Sequence, residues 1–139
     1  MERRHFTLAQ ANRTLPFVTR VVGDLVAKAA EYRRLDARQR ELAEKGKGKG
    51  KAADLEQVEH RMERLKGELE KVAAELGPIG CELKDLDRGL IDFPARLGDE
   101  VIYLCWKAGE ERIDFWHTLD SGFAGRRPIA ELPAATRGE

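Results

Sequence analysis

The stretch Gly80 to Phe93, GCELKDLDRGLIDF, holds four acids: Glu82, Asp85, Asp87 and Asp92. Acids so close in sequence most often form a solvated face, and they become chemistry when the backbone turns them toward one another. With Arg88 and Gly89 as the two corner residues of a β-hairpin, Asp85 and Asp92 stand directly opposite each other. Like charges in that position repel unless a proton or a cation lies between them. A divalent-metal site is therefore the reading with most chemical content. Oxygen ligands alone suit magnesium or calcium, whereas His117, added from the following hairpin, would turn the preference toward zinc or manganese. Glu82 and Glu110 are outer candidates for the same site.

His117 falls at the end of an apolar face, beside Trp116 and before Asp120. A histidine so placed is more often a hydrogen-bonded residue at the edge of a core than a ligand or base, yet it is the strongest single candidate. His5 and His60 are weaker, since His60 lies between Val58 and Met62 on an exposed helix face. Cys105 has no cationic neighbour in sequence to activate it and reads as a buried, inert thiol. The loop Gly122 to Pro128, GFAGRRP, could hold an anion through backbone amides, Arg126 and Arg127; equally, Arg126 could pair with a hairpin acid.

The common motif-bearing enzymes are excluded. The repeat EKGKGKGK from Glu44 to Lys51 lacks the spacing of a phosphate loop and joins two helices rather than a strand and a helix. No Gly-x-Ser-x-Gly surrounds Ser121, and neither His-Glu-x-x-His nor EF-hand spacing occurs.

The elements that must position these residues follow from period and punctuation. Thr7 followed by Gln10 is a capping box that opens a short helix. Pro16 suits the first turn of a second, longer helix, with a kink at Thr14-Leu15-Pro16. Val18, Val22, Leu25, Ala29, Tyr32, Leu35 and Leu42 then trace a narrow apolar seam. Repeated glycine and lysine over 45–51 make a flexible loop. The seam restarts as Leu55, Val58, Met62, Leu65, Leu69, Val72 and Leu76, in a helix of roughly 37 Å that Gly77-Pro78 ends. Beyond it, 79–86 and 90–93 flank one turn, and 101–107 and 112–118 flank another. Pairing Lys107 with Arg112 places Ile102, Leu104, Trp106, Ile113, Phe115 and His117 on one face.

The expected fold is thus α+β: a long antiparallel, coiled-coil-like helical hairpin over 16–76, then a small antiparallel β region of two hairpins over 79–118, then a loop and tail over 120–139 without order after Ala134. One domain accommodates all 139 residues. Twenty-five basic and 25 acidic residues cancel, which argues against a general nucleic-acid binder; the loop lysines 45–51 are left as a weak candidate for phosphate contact. The charged N-terminus and the lack of any long apolar run predict a cytoplasmic protein with no membrane span, and the two distant cysteines are expected reduced.

Four segments in order, FTLAQANRTLP, GCELKDLDRGLIDFPA, VIYLCWKAGEERIDFWH and GFAGRRPI, resemble an uncharacterised prokaryotic family, domain of unknown function 2203. The resemblance spans nearly the whole chain apart from the hairpin tip and the last residues. It implies no substrate or mechanism.

Two functions are therefore expected from the residues. The first is a divalent-metal or small-anion site where the β-hairpins meet the helices, built on Asp85, Asp92 and His117, with zinc, manganese or magnesium as the ion. Whether such a protein is an enzyme is open; metal-assisted hydrolysis is the natural class. The second is a non-catalytic interaction or scaffold module whose hairpin binds a partner helix or another copy of itself.

Overall fold

In the computed structural model, which describes residues 4–45 and 49–139, the first helix opens as its capping box predicts. The Thr7 amide donates to Gln10 Oε1 at 3.0 Å and the Gln10 amide to Thr7 Oγ1 at 3.2 Å. Helix α1 then runs without interruption from Leu8–Lys45, so the expected break at Pro16 does not occur. Proline removes one helical hydrogen bond and costs about 3 kcal/mol in a helix interior. Here it lies on the exposed side of a helix whose other face buries Ala11, Leu15, Val18, Val21 and Val22. Several side chains buried at about 1.5–3 kcal/mol each outweigh that one loss.

Helix α2 covers Lys49–Ala74 and lies antiparallel against α1. Helix reaches both ends of the expected loop; Gly46, Lys47 and Gly48 lie outside the described residues. The seam residues Leu25, Ala29, Leu42, Met62 and Leu65 are buried, and Leu55, Val58, Leu69 and Val72 are partly so. Across the seam, Arg61 donates to both carboxylate oxygens of Glu31, at 2.8 and 3.0 Å, and Lys28 lies 3.6 Å from Glu68. Such half-exposed pairs add less than about 1 kcal/mol each, so apolar burial holds the hairpin and the ions fix which faces meet.

The β region is one five-stranded antiparallel sheet rather than two hairpins. Strands β1 (Glu82–Asp85), β2 (Leu90–Leu97), β3 (Glu100–Lys107), β4 (Phe115–Thr118) and β5 (Arg127–Pro128) lie side by side in chain order. The expected ending of β2 at Phe93 is wrong because Pro94 does not interrupt it. In an antiparallel strand the N–H and C=O of one residue point to the same side. The Pro94 carbonyl accepts from the Phe6 amide at 2.7 Å, away from β3, so the missing N–H costs the β2–β3 ladder nothing. Gly98, at φ +62°, takes the first corner of the two-residue loop between β2 and β3, a position that favours glycine.

The register also differs from expectation at β1 and β4. Glu82, not Asp85, stands opposite Asp92, and Asp85 stands opposite Leu90 after an irregularity in β1. In β4, His117 pairs with Tyr103 and Phe115 with Cys105, one residue away from the expected alignment. The β3 run VIYLCW is apolar on both faces, so alternation alone does not choose between the two alignments. One face, with Ile91, Phe93, Ala95, Ile102, Leu104, Trp106 and Trp116, packs on α1 to form the main core. Phe6 meets Phe93 there edge to face, with ring centroids 5.2 Å apart. The tail is ordered: a short helix α3 (Ala134–Arg137) buries Thr136, whose hydroxyl donates to the Arg96 carbonyl at 2.8 Å.

Candidate metal centre

The sheet face turned away from the helices carries Asp92 on β2, Cys105 on β3 and His117 on β4. Register explains the convergence: Asp92 lies opposite Cys105, and Cys105 lies one diagonal step from His117. Asp92 and His117 are each 4% exposed and Cys105 1%. Charged groups so buried persist only when paired. Both carboxylate oxygens of Asp92 lie 3.0 Å from His117 Nε2, while His117 Nδ1 lies 2.7 Å from the Thr118 carbonyl oxygen. The Cys105 thiol completes the group: one donor atom from each residue falls within 4.8 Å of the other two. The Tyr103 ring flanks His117 at 5.5 Å.

Burial alone would push the imidazolium toward losing its proton. Hydrogen bonds to Asp92, to Cys105 and to the Thr118 carbonyl, with the Asp92 charge, outweigh it and raise His117 to about 10. Without a metal, both ring nitrogens therefore donate and His117 is a buried cation on Asp92. A metal would take the place of the Nε2 proton. In that state Nδ1–H still holds the ring through Thr118, the arrangement that orients most metal-bound histidines. Carboxylate oxygen, thiolate sulfur and imidazole nitrogen together suit zinc rather than magnesium, whose ligands are oxygens. The three donors form the bottom of a cleft of about 290 Å³, walled by Lys84, Asp85, Arg88, Leu90, Leu119, Gly122 and Phe123.

The residues singled out in the sequence divide around this group. Asp92 and His117 belong to it. Asp85 does not; it lines the cleft wall, where the Arg88 amide and Nε donate to its two oxygens at 3.0 and 2.9 Å. Those bonds, the backbone one foremost, hold its carboxyl below the usual range. Glu82 accepts from Lys84 at 3.0 Å and from the Tyr103 hydroxyl at 3.4 Å. Glu110 accepts Arg126 on both oxygens, at 2.8 and 2.9 Å, and also accepts the Lys107 amide. Arg126 thus pairs with a hairpin acid, its guanidinium 4.1 Å from the Phe115 ring centre and 4.8 Å from that of Phe123. Arg127 pairs with Glu131 at 2.8 Å. Cys105, read in the sequence as a buried, inert thiol, is the residue that joins Asp92 and His117 in the group. It shares with Tyr103 the face that a one-residue shift of β4 brings to His117, a shift that the alternation of β3 does not select.

The fold and this cluster define a class: an α+β protein in which a helical hairpin backs one face of an antiparallel meander and a buried Asp–Cys–His group occupies the other. The chain belongs to the DUF2203 family, described as an uncharacterized conserved protein, and matches it over residues 4–129, a span that contains all three cluster residues. No curated protein and no solved structure matches the chain. No helix among the described residues is long and apolar enough to cross a membrane.

Proposed function

We propose that this protein binds a zinc-type divalent ion through Asp92, Cys105 and His117, with the open coordination position facing the cleft. The observation that carries the reading is the meeting of three unlike donor atoms at one buried point, with His117 Nδ1 already tied to a backbone carbonyl. Three protein ligands and one open position are the pattern of catalytic rather than structural zinc. A bound ion would supply Lewis acidity at the cleft floor, which makes metal-assisted hydrolysis the reaction class to screen. A cysteine–histidine–aspartate relay is less well supported. It needs a separate ring nitrogen for the thiol and for the acid, and here Nδ1 is engaged by Thr118. A reducing compartment such as the cytoplasm suits a thiolate ligand.

Self-association through the hairpin has weaker support. Large apolar side chains exposed among the described residues are Phe17 and Leu119, on separate elements, and the seam residues are buried (Ala29, Leu42, Met62, Leu65) or partly buried (Leu55, Val58, Leu69, Val72) within the hairpin.

Elemental analysis of tag-free protein, purified without chelator and reloaded with zinc, manganese or magnesium, tests the metal reading. Wild type should hold about one equivalent of zinc, and Asp92→Asn, Cys105→Ser and His117→Ala should each lower affinity by more than about tenfold. Asp85→Asn should retain the ion. A wild type that takes up none of the three metals would overturn the proposal and favour the interaction reading.

A further inference from the structure

The cleft above Asp92, Cys105 and His117 has walls of two kinds, and their placement specifies what it would take. Resting on the zinc reading, we infer that the cleft binds a small oxyanion carrying a short apolar tail, its head group at the open metal position and on Arg88, its tail along Leu119 and Phe123. Charge comes first. A divalent ion with one aspartate and one thiolate is neutral, so the wall residues decide which charge is taken, and there Lys84 and Arg88 each keep donors beyond the carboxylate paired with them, Glu82 and Asp85.

Arg88 is held ready for an anion. Asp85 engages its Nε at 2.9 Å and the Phe123 ring lies 4.9 Å beneath the guanidinium. These contacts fix the plane of the fork, and among the described residues no acceptor meets its two terminal amino groups. A planar fork so presented matches a carboxylate or phosphate two oxygens at a time. Lys84 keeps donors beyond the one given to Glu82.

The apolar half of the argument is independent of charge. Leu119 is 54% exposed, one of two large apolar side chains so exposed among the described residues, and it lines this same cleft with Phe123. A tail laid along it would remove apolar surface from water that the free protein leaves wet. At about 290 Å³ the cleft is at the small end of ligand sites, which fits a metabolite-sized molecule rather than a polymer.

Calorimetric titration of zinc-loaded protein, with the zinc content of each sample measured, tests this. The probes are acetate, inorganic phosphate, hexanoate and hexyl phosphate, with hexylamine as the charge control. The six-carbon anions should bind at least about tenfold more tightly than the short ones, and hexylamine should not bind. Arg88→Met should weaken every anion by about tenfold with zinc retained. Leu119→Ser should erase the advantage of the tail and leave phosphate unchanged, and Arg127→Met, on a residue paired with Glu131, should change nothing. Stoichiometric zinc with no anion binding, or with hexylamine bound as well as hexanoate, overturns this inference alone. Absence of zinc overturns the site reading and this inference with it.

Discussion

His117 in the metal-free protein is an imidazolium with acceptors on both nitrogens, so its charge is part of what holds β4 to β2. Because the folded ring titrates near 10 and an ordinary histidine near 6.5, folding favours the protonated form. The stabilisation is complete below about pH 6.5 and is lost as pH rises through about 10. Chelator-treated protein should unfold at progressively lower urea across that window, and Asp92→Asn should flatten the trend. A wild-type midpoint that does not move would remove the pair from the energetics of the fold. Zinc binding should show the opposite slope, tightening as pH rises, since the ion must displace the ring proton and the thiol proton. Cys81, the other thiol, is buried on the helix side of the sheet, and burial raises it to about 11, so it takes no part in this chemistry at neutral pH.

Strand β2 is the element on which the site depends, since it joins the helix-facing core to Asp92 on its other face. It begins at a close approach. Gly89 has φ +66°, and a Cβ there would lie 2.7 Å from the Ala108 Cβ and 2.9 Å from Val22 Cγ1. Gly89→Ala therefore meets both backbone strain and a clash among side chains that cannot swing away. It should cost roughly 2–4 kcal/mol, read as a lower urea midpoint with unchanged slope. A loss under about 0.5 kcal/mol would mean that the turn relaxes freely.

The elements were legible where one signal acted alone. The Thr7–Gln10 box, the two seams and the stop near Gly77-Pro78 were read correctly because each is a local rule. Pro16 was over-read: the one helical hydrogen bond it removes is outweighed by the apolar face buried on α1, a fact that only tertiary placement reveals. Gly98-Asp99 between two apolar runs was a hairpin signal, and ending the strand at Phe93 hid it. The register of β4, and with it Cys105, was not legible because β3 is apolar on both faces. Asp92 and His117 were singled out by residue type, and their contact came from an alignment that the sequence left undetermined.

The whole molecule closes through its last residues. Leu132 is buried in the main core and Thr136 is tied to the Arg96 carbonyl at the far end of β2. A chain ending at Glu131 would give up one buried leucine and one buried hydrogen bond, about 3 kcal/mol together. Urea unfolding of that truncation should show the loss with zinc content preserved, because the tail touches β2 at the end away from Asp92. Loss of the metal along with stability would mean that the tail holds the strand in register.

The main core includes α1 only as far as Val26; Ala29, Leu42, Met62 and Leu65 are buried outside it, helix against helix. Past Arg33, whose guanidinium still pairs with Asp87 in the turn between β1 and β2, the hairpin is therefore an arm whose length can vary apart from the sheet. Removing one heptad from each helix at matched positions would shorten it by about 10 Å while preserving the seam and the bed of the site. In this architecture distance and chemistry are set by different parts of the chain, and either can be altered with the other held constant.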